Sequence, residues 1–292
     1  MHQSAAPDDI SQPLIDDGLE TPEVGSWSEE KYHLLHGYAR IFATAMKKKW
    51  DHRVYIDLFA GSGRSKLKGS GRIVLASPLL ALEIPDRFDR YIFCEQQPKR
   101  MSALRERVKR DYGGADVRFV EGDANQLVDQ ILIEVPAHSK TSKVLAFCFA
   151  DPYRLKNLKF TTIEHLAKRF MDFLILIPTE MDANRNVSWY TQPNNRTLDE
   201  FVGTTEWREH WHSAKARGEP FWGFLERFYE LRMASLEYGE HSAKEARLIR
   251  SDRKNLPLYR LTFFSRHPLG RRFWKDIKKH VIPQLPLDLD FD

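Results

Sequence analysis

Between Val54 and Pro178 short apolar runs alternate with longer amphipathic stretches. Val54–Asp57, Tyr91–Cys94, Val117–Val120, Val144–Phe149 and Met171–Pro178 have the length and the β-branched and aromatic content of strands. Val144–Phe149 is apolar without interruption, as expected of a strand buried on both faces. The intervening stretches read as helices: Leu79, Leu80 and Leu82 after Ser77-Pro78, then Pro98–Tyr112, Ala124–Val135 and Thr161–Arg169. Pro78 is tolerated there because a first-turn residue needs no amide donor. Strands alternating with helices predict a doubly wound, Rossmann-like α/β sheet.

Upstream of the first strand, Ser26 and Glu29 have the spacing of a capping box. A helix is predicted from there through Tyr32, Leu35, Tyr38, Ala39 and Phe42 to Lys47–Lys49, whose charge suits a helix C-terminus. His33 and His36 read as part of that amphipathic helix rather than as ligands. Residues 1–25 are rich in Asp, Pro and Ser, lack periodicity and read as a disordered tail. After Pro178 the alternation breaks. Residues 180–242 read as a helical insertion, a cap for substrate or partner, carrying Trp189, Trp207, Trp211 and Trp222. The sheet resumes at Leu258–Phe264, Pro268–His280 closes it as a helix, and residues 283–292 form a tail. The expected organisation is one domain over residues 26–282.

The chain has 292 residues and a 42% hydrophobic fraction, which fits one large globular domain. No apolar run is long enough to span a membrane, no signal-peptide pattern opens the chain, and a cytoplasmic protein is expected. A net charge of +4 permits a basic groove without demanding one. Cys94 and Cys148 end two strands expected to flank the first. That would put them roughly 9–10 Å apart, two strand spacings. A disulfide needs Cα atoms within about 7 Å, so two buried free thiols are expected. No metal site is expected: there is no cysteine cluster, and His210 and His212, two apart, point to different faces of a helix.

The chemistry concentrates at strand ends. Asp57-Leu-Phe-Ala-Gly-Ser-Gly63 leaves the first strand through a tight loop in which Gly61 and Gly63 allow unusual torsions and close approach to a ligand. Lys66 stands where a dinucleotide fingerprint needs its third glycine, and no Gly-Lys-Ser/Thr of a P-loop follows. Glu95 follows the second strand, where a carboxylate can accept from both hydroxyls of a ribose. Asp123-Ala124 follows the third strand and suits an adenine edge, or a helix N-cap. The fourth strand ends Asp151-Pro152-Tyr153.

Asp-x-Phe-x-Gly-x-Gly resembles the first motif of class I S-adenosylmethionine-dependent methyltransferases. That resemblance implies that Asp57, Phe59, Ala60, Gly61, Gly63, Glu95, Asp123 and Ala124 bind S-adenosylmethionine. Asp151-Pro152-Tyr153 resembles, with one Pro in place of two, the Asp/Asn-Pro-Pro-Tyr/Phe motif of amino methyltransferases. There the polar residue accepts from the target nitrogen and the ring stacks on a flat substrate, which implies catalytic roles for these three residues. A narrower resemblance, from about Trp27 to Ile282, is to the three-Cys-motif partner proteins (TcmP) of bacteria. It rests on Tyr55–Gly63, Ser77-Pro78-Leu79, Phe149–Tyr153, Phe264-Ser-Arg-His-Pro-Leu-Gly270 and Phe273-Trp274. It implies a partner protein with a three-cysteine motif of iron–sulfur type.

The expected activity is methyl transfer to a base-like or nucleic-acid amine. The alternatives are a peptide or small-molecule acceptor, or a non-catalytic scaffold for the partner. Arg64, Lys66, Lys68 and Arg72 lie in a basic loop beside the expected cofactor mouth; with Arg185, Arg196, Lys215 and Arg217 they could line a phosphate groove. Trp189 and Tyr190 could stack a base. Trp207, Trp211 and Trp222 read rather as a small core of the insertion. The run Lys99, Arg100, Arg105, Arg107, Lys109 and Arg110 reads as a solvated helix face.

Overall fold

Alternating side chains of the central strands enter two separate apolar cores, one on each face of the sheet. Val54, Ile56, Ile92, Cys94, Ala146, Cys148, Phe173 and Ile175 point into one core. Tyr55, Tyr91, Phe93, Phe147, Phe149, Leu174 and Leu176 point into the other. Both faces therefore need helices over them, and the period-two pattern is what places them there. The structure is a computed structural model and describes residues 14–239, 246–251 and 255–280.

The strands in chain order are β1 (Glu23–Val24), β2 (His52–Asp57), β3 (Arg64–Leu67), β4 (Ile73–Leu75), β5 (Arg90–Glu95), β6 (Val117–Glu121), β7 (Val144–Ala150), β8 (Met171–Ile177), β9 (Arg247–Arg250) and β10 (Pro257–Phe264). The helices are α1 (Ser28–Met46), α2 (Ser77–Leu82), α3 (Pro98–Asp111), α4 (Val128–Glu134), α5 (Phe160–Leu166), α6 (Val187–Tyr190), α7 (Thr197–Val202), α8 (Trp207–Ala216), α9 (Phe221–Ala234) and α10 (Pro268–His280). A seven-stranded sheet has the order β6-β5-β2-β7-β8-β10-β9. β6, β5, β2, β7 and β8 run parallel, and β10 is antiparallel to both β8 and β9. This is the doubly wound, Rossmann-like sheet expected, with the strand order reversing on either side of β2. Such a reversal opens a crevice at the carboxyl ends of the strands. Helices α1, α2, α3 and α10 contribute to one core, and α4, α5 and α7–α9 to the other.

Several expectations are corrected. Residues 14–25, read as part of a disordered tail, lie on the fold: β1 pairs parallel with β3, and the Leu14 amide donates to the carbonyl of Ile73 at 3.0 Å. The rest of that tail, residues 1–13, and the tail 283–292 lie outside the described residues. The basic loop Ser62–Arg72 contains β3 and the turn of its hairpin with β4, completing a small three-stranded sheet with β1. Local polarity hid it; Ser65 and Leu67 are buried while Lys66 faces out, the alternation of a half-buried strand. The Ser26–Glu29 capping box does not form. Helix α1 starts at Ser28 with no side-chain cap, and Glu29 and Glu30 instead pair with Arg72 and Arg247. The tryptophans of the insertion do not build a small core of their own. Trp207 is fully buried and Trp211 packs on Phe221 and Phe224, in the same core as the sheet residues Val54 and Phe173. Arg107, placed on a solvated face, is completely buried.

Cys94 and Cys148 are both free and buried, on strands flanking β2. Among the described residues no helix is long and apolar enough to cross a membrane, and no group of three or more metal-ligating side chains is assembled.

Candidate functional site

A cavity of about 670 Å³ opens at the carboxyl ends of the parallel strands. Its floor and walls come from the loops after β2, β5, β6, β7 and β8, with residues of the N-terminal segment, α1 and β10 closing it. The volume is in the range of sites that enclose a small organic ligand.

The loop after β2 is built from below by Asp57. This carboxylate is fully buried and accepts from the Phe59 amide at 3.1 Å and the Tyr55 hydroxyl at 3.4 Å, with a further bond from Ser77. Burial pushes its pKa up to about 7 against the pull of the Ser77 and Phe59 bonds. Asp57, expected to touch the cofactor, does not line the cavity; it holds the loop that does. The two glycines also differ. Gly61 lines the cavity at φ +63°, and a Cβ there would meet nothing within 4 Å. Gly63, at φ +85°, is not on the wall; a Cβ would stand 2.8 Å from Leu79 Cγ and 3.0 Å from Leu104 Cδ1. It lets the loop close down on α2 and α3, whereas Gly61 leaves the backbone open to a ligand. Phe59 and Ala60 line the wall as expected.

Glu95 stands at the end of β5 with its carboxylate on the wall and little exposed. One oxygen accepts from the Gly61 amide at 2.8 Å, the other from the Gln97 amide at 2.7 Å. Those two bonds aim the group and leave each oxygen a further lone pair. Asp123 and Ala124 also line the cavity. Asp123 Oδ1 accepts from the Asn125 amide and side chain at 2.8 and 2.9 Å, so part of its capacity goes to its own turn.

At the end of β7, Asp151, Pro152 and Tyr153 all reach the cavity, and Tyr153 is 77% exposed. Asp151 is ion-paired with Lys31 of α1. Lys31 is buried, with its ammonium 5.1 Å from the Tyr32 ring centroid and 6.0 Å from that of Tyr259. Burial alone would lower the pKa of this ammonium; the charge of Asp151, helped by Tyr259 and Tyr32, overcomes that and holds it above its usual range. Tyr259 lines the same wall, and its buried hydroxyl has no hydrogen-bond partner. Lys31 and Tyr259 were missed from the sequence. Lys31 did carry a signal: it falls on the helical stripe of Leu35, Tyr38 and Phe42, all buried. Tyr259 carried none, because only the pairing of β10 against β8 brings it there.

The expected substrate residues are not brought together. Arg64 lines the cavity but is paired with Asp17 at 3.1 Å. Lys66 points outward from β3 and does not reach the cavity. Tyr190 is buried and its hydroxyl donates to Asp182 at 2.7 Å; Trp189 is 57% exposed; neither lines the cavity. Arg196 pairs with Asp199 at 2.9 Å and Arg217 with Glu219 at 3.7 Å, so these two arginines of the insertion are engaged locally.

No family model matches the chain, and no curated protein matches it. Among solved structures it is similar to an O-methyltransferase from Bacillus cereus in complex with SAH, at 13% identity and TM-score 0.45, covering 85% of this chain and 84% of that one. It is also similar to the cofactor-bound protein Rv0187 from MTB, at 15% identity and TM-score 0.38, over 89% and 86% of the two chains. A third, protein LPL1258 from Legionella pneumophila, is 14% identical at TM-score 0.39, over 59% and 74%. At these scores the likenesses add nothing to the site, which stands on its own geometry.

Proposed function

We propose that this chain is an S-adenosylmethionine-dependent methyltransferase whose acceptor is held at Asp151-Pro152-Tyr153. The supporting observation is the aimed carboxylate of Glu95, fixed by the amides of Gly61 and Gln97, on a wall it shares with the open Gly61 backbone. These residues fit the cofactor. Glu95 keeps a lone pair on each oxygen for the paired hydroxyls of a ribose, and the loop Phe59–Gly61 presents backbone where a side chain would otherwise intrude. Asp123 and Ala124 would take the adenine edge. When bound, S-adenosylmethionine supplies an electrophilic methyl on a sulfonium. The chain's own part is to bind, aim the acceptor in line and exclude water, which is where most of the rate enhancement of a displacement comes from.

A base-like or nucleic-acid amine would share Asp151 with Lys31, whose ammonium takes Oδ2 and leaves Oδ1 free to accept. The insertion's aromatic pair, Trp189 and Tyr190, does not line the cavity. The Lys31 cation beside Asp151, and the absence of Trp189 and Tyr190 from the cavity wall, support a small-molecule or peptide acceptor over the nucleic acid. A partner with a three-cysteine motif is proposed on the residue resemblance alone.

The test is calorimetric titration of S-adenosylmethionine and S-adenosylhomocysteine into the full chain and into Glu95→Ala. The expected result is binding in the micromolar range that weakens about tenfold or more in the variant. Absence of binding to the parent would overturn the methyltransferase reading and leave the scaffold one.

A further inference from the structure

A buried ammonium has three N–H donors, and Lys31 gives one to Asp151. The remaining charge faces two tyrosine rings, which offer cation–π attraction and no lone-pair acceptor. Lys31 is also on the cavity wall. Next to it the Tyr259 hydroxyl is buried on the same wall without a partner. Buried polar groups are rarely left without a partner, and this hydroxyl shares the cavity wall with the Lys31 ammonium, Asp151 and the exposed Tyr153. What completes the hydroxyl and the ammonium is an oxygen bearing negative charge on a flat body.

We propose that the methyl acceptor is an oxyanion, the carboxylate or phenolate of a small aromatic acid, bound by the Lys31 ammonium and the Tyr259 hydroxyl. The proposal rests on the methyltransferase reading and gives its substrate class. It also explains why the acid of the Asp-Pro-Tyr motif is paired. An amine acceptor gains positive charge as it attacks and is repelled by Lys31; an oxygen acceptor loses negative charge beside a cation that lowers the pKa of its conjugate acid beforehand. The acceptor oxygen donates an electron pair to form the O–CH3 bond as the C–S bond breaks, that pair staying on the sulfur. A carboxylate has no proton to lose. A phenol loses its proton to solvent on binding, because the phenolate is the form that the Lys31 ammonium holds.

The probes are 4-nitrophenol, whose ionisation is visible in its absorbance, 4-nitrobenzoate as the carboxylate arm, and 4-nitroaniline as the matched amine. Each is titrated into the full chain saturated with S-adenosylhomocysteine, then offered with S-adenosylmethionine. The expected result is 4-nitrophenol bound as its anion with a lowered apparent pKa, or 4-nitrobenzoate bound in competition with it, and 4-nitroaniline bound at least about tenfold more weakly. Lys31→Met should abolish the spectral shift while still binding S-adenosylhomocysteine, and Lys31→Arg should restore part of it. Preference for 4-nitroaniline, binding of the neutral phenol, or anion binding unchanged in Lys31→Met would overturn the proposal. Failure of S-adenosylhomocysteine to bind the parent would instead overturn the methyltransferase reading, so the two failures are distinguishable.

Discussion

Arg107 of α3 grips Asp17 with two hydrogen bonds, from Nε at 3.0 Å and from Nη2 at 2.7 Å, while its Nη1 donates to the carbonyl of Ser62 at 2.7 Å. One buried guanidinium thus ties the N-terminal segment to the glycine loop that floors the cavity. That segment is what places Pro22–Gly25 on the cavity wall.

Arg107→Met should therefore destabilise the fold by about 3–5 kcal/mol, the usual cost of removing one partner of a buried ion pair. It should also weaken S-adenosylhomocysteine, because the Ser62 carbonyl loses its anchor. Urea denaturation and calorimetry on the same preparation check both. The Arg107 bond holds the Asp17 carboxyl well below the usual range despite burial, with the charges of Arg107 and Arg64 adding to it. A depressed pKa gives stability that is present above the unfolded value of about 4 and is lost as the pH falls below it. Asp17→Asn should flatten that acid limb.

Three other carboxyls act in the opposite sense. Burial pushes Asp57 up to about 7, Asp172 to about 6 and Glu226 to about 7. A raised carboxyl binds its proton more tightly in the folded state, so its contribution is full below the unfolded pKa and is lost as pH rises through the folded one. The protein should be more stable near pH 5 than near pH 8 at constant ionic strength, over roughly the window these shifts define. Asp57→Asn keeps an acceptor for the Phe59 amide and should gain on the parent as pH rises, by up to about 4 kcal/mol if the whole shift is realised. Thermal unfolding across that range reads it, and an unchanged pH slope in Asp57→Asn would remove Asp57 as its cause.

The two loop glycines should separate stability from binding. Gly63→Ala places a methyl 2.8 Å from Leu79 Cγ at φ +85° and should cost about 2–4 kcal/mol. Gly61→Ala meets no atom and carries only the strain of φ +63°, about 1–2 kcal/mol. Its methyl enters the cavity side, so it should lose cofactor affinity out of proportion to its stability. Melting temperature and S-adenosylhomocysteine affinity, measured together, distinguish the two.

The insertion should unfold with the sheet rather than apart from it. Trp207 is buried and its indole donates to Asp199 at 2.8 Å, a carboxylate that also pairs with Arg196 and Arg208. Trp207→Phe removes that donor and part of the packing, and should cost about 1–3 kcal/mol in a single cooperative transition. S-adenosylhomocysteine affinity should stay unchanged, since Trp207 does not line the cavity. An early transition confined to part of the signal would refute the shared core.

Much of this protein is written locally. The parallel strands β2, β5, β7 and β8 read directly from apolar runs, because a strand buried on both faces has no choice but to be apolar. The positions of Phe59–Gly61, Glu95, Asp123 and Asp151–Tyr153 at one cavity follow from strand ends in a parallel sheet, which all open to the same side. Such information is carried by short windows of sequence, where period and punctuation suffice.

What the windows do not carry is pairing between distant segments. The hairpin of β3 and β4 and its pairing with β1 looked like polar loop and tail, since their hydrogen bonds are made to partners far along the chain. Arg107 looked solvated because nothing near it announces Asp17, 90 residues away. Lys31 meets Asp151 across 120 residues, and that contact turned the acid expected to hold an amine into one half of an ion pair. The parallel strands, their crevice and the strand-end residues that line it were legible in the sequence, because each is set by the direction and end of a strand. The charge around Asp151 was settled only by folding, because the strength of a buried charge depends on what is brought against it.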